Sequence, residues 1–160
     1  MIIVITGVTG SGKTTIGRLL ASRLGWTFAD ADDFHPAANI EKMKHGIALD
    51  DEDRIPWLES IRQWIAAAVG RGENGVLACS ALKQSYREAL QVNAQVSFVY
   101  LQADPALVAQ RLANRTGHFM NPSLIASQFA TLEEPHWALT IDASLLPDQI
   151  VARIRAELAI

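Results

Sequence analysis

The sequence predicts an α/β fold, a parallel sheet with helices on both faces. Three observations carry that expectation. Short apolar runs alternate with amphipathic stretches along the whole chain. The runs are continuous and rich in β-branched residues, as in strands buried on both faces. No Pro-, Gly- or Ser-rich linker divides the 160 residues, a length that suits a single domain over 1–160.

Each element follows from its own pattern. Ile2–Thr6 is an unbroken β-branched strand. Ile16, Leu19, Leu20, Arg23 and Leu24 recur at helical spacing, and Gly25 supplies the stop. Thr27–Ala29 reads as a second strand ending at Asp30, and residues Phe34–Gly46, without a clear period, as a broken helix. Asp53 is the expected cap of the next helix, with Pro56 in its first turn. Its stripe is Trp57, Ile61, Trp64, Ile65 and Ala68, closed by Gly70 and Gly72. Val76–Cys79 is the third strand, Ser85–Leu90 a short helix, and Val96–Leu101 the fourth strand. Asp104 caps a helix opened by Pro105 that carries Leu107, Val108, Arg111 and Leu112. A loop at Thr116–Asn121, a helix at Pro122–Thr131, a strand at Leu139–Ile141 and a helix from Pro147 through Leu158 complete the chain.

Composition narrows the function. With 49% hydrophobic residues, 19% charged and net charge −3, the chain can bury a core and is not a disordered segment. Its apolar runs, such as Ile65–Val69, are too short for a bilayer, so no membrane association is expected. No basic stretch precedes Ile2, so no secretory signal is read and a cytoplasmic location is expected. The lone Cys79 excludes a disulfide framework or cysteine-rich zinc site, and reads as a small buried residue. His35, His45, His118 and His136 lack metal-ligand spacing. The acidic balance argues against nucleic acid as a partner, leaving a small molecule.

Gly7-Val8-Thr9-Gly10-Ser11-Gly12-Lys13-Thr14 matches G-x-x-x-x-G-K-[ST] at every fixed position, between a strand and a helix. Glycines let successive N–H groups turn inward onto phosphate oxygens, and the helix N-terminus adds partial positive charge. Lys13 is expected to bridge the β- and γ-phosphates of ATP, the Thr14 hydroxyl to ligate Mg²⁺, and Thr15 to complete the cradle. The chain has no guanine-reading Asn/Thr-Lys-x-Asp element, and its third strand ends Ala78-Cys79-Ser80 with no acid.

The carboxylates stand instead in Asp30-Ala31-Asp32-Asp33, at the end of the second strand. Parallel strands deliver their C-terminal ends to one edge, so Asp30 and Asp32 are expected near the γ-phosphate. One holds Mg²⁺ through water while the other takes a proton from a substrate hydroxyl. Arg111 and Arg115, four apart, share a helix face ahead of a Gly-containing loop and suggest a closing lid over about 111–124. Arg54, Lys83 and Arg87 suit an anionic acceptor, with ion pairing to the Asp50–Asp53 run as their alternative use. Trp57, Trp64 and Phe98 read as core.

Six blocks resemble the bacterial gluconokinases. They are Asp32-Asp33-Phe34-His35-Pro36, Asn39-Ile40-Glu41-Lys42-Met43, Leu49 through Leu58, Cys79-Ser80-Ala81-Leu82-Lys83 with Tyr86-Arg87, Arg115-x-Gly117-His118-Phe119, and Gln128 through Pro135. The resemblance implies transfer of the ATP γ-phosphoryl group to the 6-hydroxyl of D-gluconate with Mg²⁺. It also implies a three-layer P-loop kinase fold of five parallel strands in the order 2-3-1-4-5, a small lid, and a homodimer. By position it implies Asp30 as the acid near Mg²⁺, Asp32 as the hydroxyl partner and base, and Lys13 and Arg115 as charge-absorbing catalytic cations. Arg111 and Arg115 are similar to the lid pair of the wider nucleoside-monophosphate-kinase group, in which the first packs on adenine and the second reaches the phosphates. Arg54, Lys83, Arg87, His118 and Gln128 fall in the substrate-binding set, and Glu134 matches without a role. The chain departs from related kinases at Ala31 and Asp33, where Gly and an apolar residue are usual. A shikimate kinase, the nearest alternative, expects a Gly-rich turn where Cys79-Ser80-Ala81-Leu82-Lys83 stands.

Overall fold

A computed structural model describes residues 1–114 and 122–160. Five strands, β1 (Ile2–Thr6), β2 (Thr27–Asp30), β3 (Gly75–Ala78), β4 (Val96–Gln102) and β5 (Leu139–Asp142), form one sheet in the order β2-β3-β1-β4-β5. Every pairing is parallel, with β1 central: Val4 lies opposite Leu77 on one side and Phe98 on the other. The expected α/β class and strand order both hold.

Alternation along β1 sends successive side chains into different layers. Ile3 and Ile5 pack with Ile16 and Leu20 of α1 (Lys13–Leu24) and, further out, Ile150 and Ile154 of α7 (Pro147–Leu158). Ile2 and Val4 pack with Trp57, Ile61 and Ile65 of α3 (Asp51–Gly70) and Leu90 of α4 (Gln84–Leu90). α5 (Pro105–Ala113) and α6 (Pro122–Thr131) lie on the α1 side through Val108, Leu112 and Phe129. Trp57 and Phe98 are buried as expected, whereas Trp64 only borders the second layer.

Two local readings change. The cap of α3 is Asp50, whose side chain accepts from the Asp53 N–H while Asp53 accepts from the Asp50 N–H. That reciprocal box moves the helix start forward by three residues, because Asp53 serves at the third helical position. Pro56 therefore falls in the second turn. The stretch expected as a broken helix resolves into a 3₁₀ turn at Ala31–Phe34 and α2 (Ala37–Lys44), separated by His35 and Pro36. The carboxylate of Asp53 ties α2 to α3 by an ion pair with Lys42 at 2.6 Å. All the loops that follow strand C-termini open on one edge of the sheet, and the site is built there.

Candidate active site

The phosphate loop runs from Gly7 to Gly12, between β1 and α1. Gly7 has φ 143°, and a Cβ there would lie 2.8 Å from the Leu101 carbonyl oxygen. Gly12, at φ 104°, caps α1 in a conformation that side chains disfavour. The turn is thus held tight against β4 and opens directly into a helix N-terminus. Lys13 Nζ donates to the Val8 carbonyl at 2.9 Å, folding the side chain back over the loop. Gly7 N–H and the Thr6 hydroxyl both donate to the Ser80 carbonyl, tying the loop to the β3–α4 connection.

Two residues expected to touch ligands brace this loop. Gln128 of α6 accepts from the Thr9 N–H and hydroxyl at 3.1 and 3.2 Å. Arg111 of α5 donates to the Ser11 carbonyl at 2.8 Å and the Ala143 carbonyl at 2.5 Å. Beside it a cleft of about 260 Å³ is lined by Gly12, Thr15, Ile16, Arg111, Leu145 and Pro147.

On the inner side a cavity of about 170 Å³ brings together Lys13, Thr14, Asp30, Asp32 and Ser80. Asp30 closes β2 and uses both oxygens: one accepts from the Thr14 hydroxyl at 2.9 Å, the other from the Asp32 N–H at 3.1 Å. A hydroxyl beside a carboxylate at a phosphate loop is a hard-oxygen set suited to Mg²⁺. Asp32 stands two residues on, partly open to the cleft. Crowding by protein raises its carboxyl above the ordinary value and the Asp30 charge adds to this, while His35 and Lys13 oppose.

His35, whose ring feels the charges of both Asp32 and Arg54, links Asp32 to a cluster in which Asp51 is the hub. Its carboxylate accepts from Lys83 Nζ at 2.8 Å and from the Tyr86 hydroxyl, and lies 3.9 Å from Arg54. The Lys83 and Tyr86 hydrogen bonds hold the Asp51 carboxyl below its usual range. Arg54 also sits over the Tyr86 ring, 5.9 Å from its centroid. Arg54 and Lys83 therefore converge, as expected, and both already face an internal anion.

Arg87 does not join them. It is 1% exposed, and it donates to the carbonyls of Ala81, Leu82 and Glu133 at 2.7 to 2.9 Å. Its position on α4 points it under the β3–α4 loop, where it clamps that loop to the chain after α6. Arg115 and His118 lie outside the described residues. Asp51 realises the alternative use expected for Arg54 and Lys83, ion pairing with the Asp50–Asp53 run, whereas sequence reasoning gave Tyr86 and His35 no part in the site. The Lys83–Tyr86 spacing of three at a helix start was the available signal for one of them.

Comparisons with known proteins agree with this geometry. A protein-family model described as shikimate kinase matches residues 9–155. A gluconokinase of Gluconobacter oxydans is 48% identical over 134 residues, covering 83% of this chain and 75% of that protein. The thermosensitive gluconokinase of Escherichia coli is 44% identical over 133 residues, covering 82% and 71%. Among solved structures, a gluconokinase from Sinorhizobium meliloti superposes with TM-score 0.85 at 38% identity, covering 98% of this chain and 94% of that one. A shikimate kinase from Aquifex aeolicus shares the fold, with TM-score 0.60 at 16% identity over 99% and 96% of the two chains.

Proposed function

The chain belongs to the gluconokinase family, inside the wider shikimate kinase family, and on that premise we propose that it phosphorylates D-gluconate at the 6-hydroxyl with ATP. It is a kinase with a P-loop and a small-molecule acceptor. The observation that carries the finer reading is the shared cleft of Lys13, Thr14, Asp30 and Asp32, together with the convergence of Arg54 and Lys83 on Asp51.

In this reading the acceptor carboxylate lies against Arg54 and Lys83, which leaves the far hydroxyl of the chain directed at Asp32. Asp32 accepts the hydroxyl proton as the oxygen attacks the γ-phosphorus in line with the departing β–γ bridging oxygen. The phosphate loop N–H groups and Lys13 hold the phosphates, and Lys13 follows the charge as it shifts toward the leaving group. Thr14, and Asp30 through water, would hold Mg²⁺, which when bound neutralises phosphate charge. Arg115 closes over the transferred group as part of a lid at 111–124, so that water does not compete. A single domain, a cytoplasmic homodimer and no nucleic-acid or membrane partner complete the proposal. Among the described residues no helix is long and apolar enough to cross a membrane.

The test is ADP release with MgATP against gluconate, shikimate, glucose, AMP, adenylylsulfate and no acceptor. Gluconate-dependent release, with a product one phosphoryl group heavier, is the expected result. Release with another acceptor alone would overturn the substrate.

A further inference from the structure

The ring of His35 is held from two sides. It stacks on Trp57 with planes 8° apart and centroids 4.9 Å apart. Trp57 is itself fixed by its indole N–H, which donates to the Ala31 carbonyl at 2.7 Å. From the other side the amide nitrogen of Asn39, a residue 3% exposed, lies 3.3 Å from His35 Nδ1 and 2.8 Å from the Asp53 carbonyl oxygen.

The second contact decides the chemistry of the first. A backbone carbonyl only accepts, so the Asn39 atom facing it must be the NH₂ group, and the amide cannot be turned over. That NH₂ group only donates, with one hydrogen for Asp53 and one for the ring. Nδ1 must then be a bare acceptor, and in the neutral imidazole the proton stands on Nε2.

We propose that Asn39 fixes His35 as the neutral Nε2–H tautomer, and that this N–H is an uncharged donor to a hydroxyl of the polyol acceptor. The proposal rests on the gluconate reading above. The groups acting on the ring agree with it: burial and the Arg54 charge disfavour the imidazolium, against the pull of Asp32. The carboxylate of Asp53, the α3 residue whose carbonyl shares Asn39 with the ring, is engaged by Lys42. A neutral donor has a particular value here. A sugar acid carries one carboxylate and a row of hydroxyls, and the gluconate reading gives the carboxylate to Arg54 and Lys83, in exchange for Asp51. A third cation beside Asp32 would be a rival anchor, drawing the acceptor in with its carboxylate where the reacting hydroxyl belongs. A fixed N–H recognises the hydroxylated part of the chain without that error.

Two measurements test this. In the full-length protein labelled with ¹⁵N at histidine, long-range proton–nitrogen spectra at neutral pH should show His35 with Nε2 protonated and Nδ1 bare. An Nδ1–H tautomer or an imidazolium would overturn the proposal, whether or not any variant folds. In steady-state kinetics, His35→Leu should raise the gluconate KM roughly 3- to 10-fold, the usual worth of one neutral hydrogen bond. The ATP KM should stay within about 2-fold, and His35→Gln, which keeps an N–H donor, should recover most of the loss. An unchanged gluconate KM in His35→Leu, or equal damage in both variants, would overturn the donor role. If the wild type ignores gluconate altogether, the substrate reading fails instead, and the spectrum still decides the tautomer.

Discussion

A carboxylate that takes a proton during transfer works best when its acid form is not far out of reach, and Asp32 sits in such surroundings. Crowding and the Asp30 charge both raise its pKa. Asp32→Asn should therefore lower kcat by at least roughly 100-fold, read by the ADP-release assay. The same shift makes a stability claim with a definite sign. An acid whose pKa is higher in the folded protein than in the unfolded chain opposes folding above that raised value, and stops opposing it below the ordinary carboxylate value. At neutral pH without magnesium, Asp32→Asn should melt no lower than the wild type, which calorimetry checks. The two arginines offered to the acceptor should separate in the same spirit. Arg54→Ala should raise the gluconate KM more than the ATP KM. Arg87→Ala should instead cost about 3 kcal/mol in denaturant unfolding, because it leaves buried carbonyls of Ala81, Leu82 and Glu133 without their charged donor. Sequence could not tell these two apart: both open helices near strand ends, and only packing decides which guanidinium turns inward. The phosphate loop and its two acids, by contrast, were legible residue by residue, because their spacing is dictated by backbone geometry at a strand–helix turn.

The elements with a strong period were legible and those without one were not. α3 has a stripe of Trp57, Ile61, Ile65 and Ala68, all buried, and it was found, though its start was misplaced because Asp50, Asp51 and Asp53 each make a plausible cap. α2 has eight residues and only Asn39 is buried, so hydrophobic spacing carried no signal for it. What holds α2 is polar: the Asn39 bond to the Asp53 carbonyl and the Lys42–Asp53 ion pair. Asp50→Ala should accordingly cost about 1 kcal/mol by denaturant unfolding, the usual loss of a helix cap. The β3–α4 loop carries a different constraint. Ala81 is buried with φ 36°, a left-handed conformation, and its carbonyl is one of those the Arg87 guanidinium binds. A β-branched side chain tolerates neither the angle nor the space, so Ala81→Val should cost roughly 2 kcal/mol or more in the same experiment.

Taken whole, the sheet order followed from family likeness rather than from periodicity, since alternating strands and helices are compatible with several parallel arrangements. The whole chain should also report on nucleotide binding. A ligand that binds only the folded form at 100 times its Kd stabilises by about 2.7 kcal/mol. A non-hydrolysable ATP analogue with magnesium should therefore raise Tm by a few degrees, and Lys13→Ala should lose most of that rise in a thermal-shift measurement. The central place of β1 has one more result. The residues proposed for the acceptor hang from β2, β3 and the helices after them, while α5 and the β5–α7 turn bracket the nucleotide side from β4 and β5. The phosphate loop thus stands as a seam between two flanks, and the Arg87 clamp from the β3–α4 loop to the chain after α6 stitches them together, so a change of acceptor segment on one flank is felt on the other.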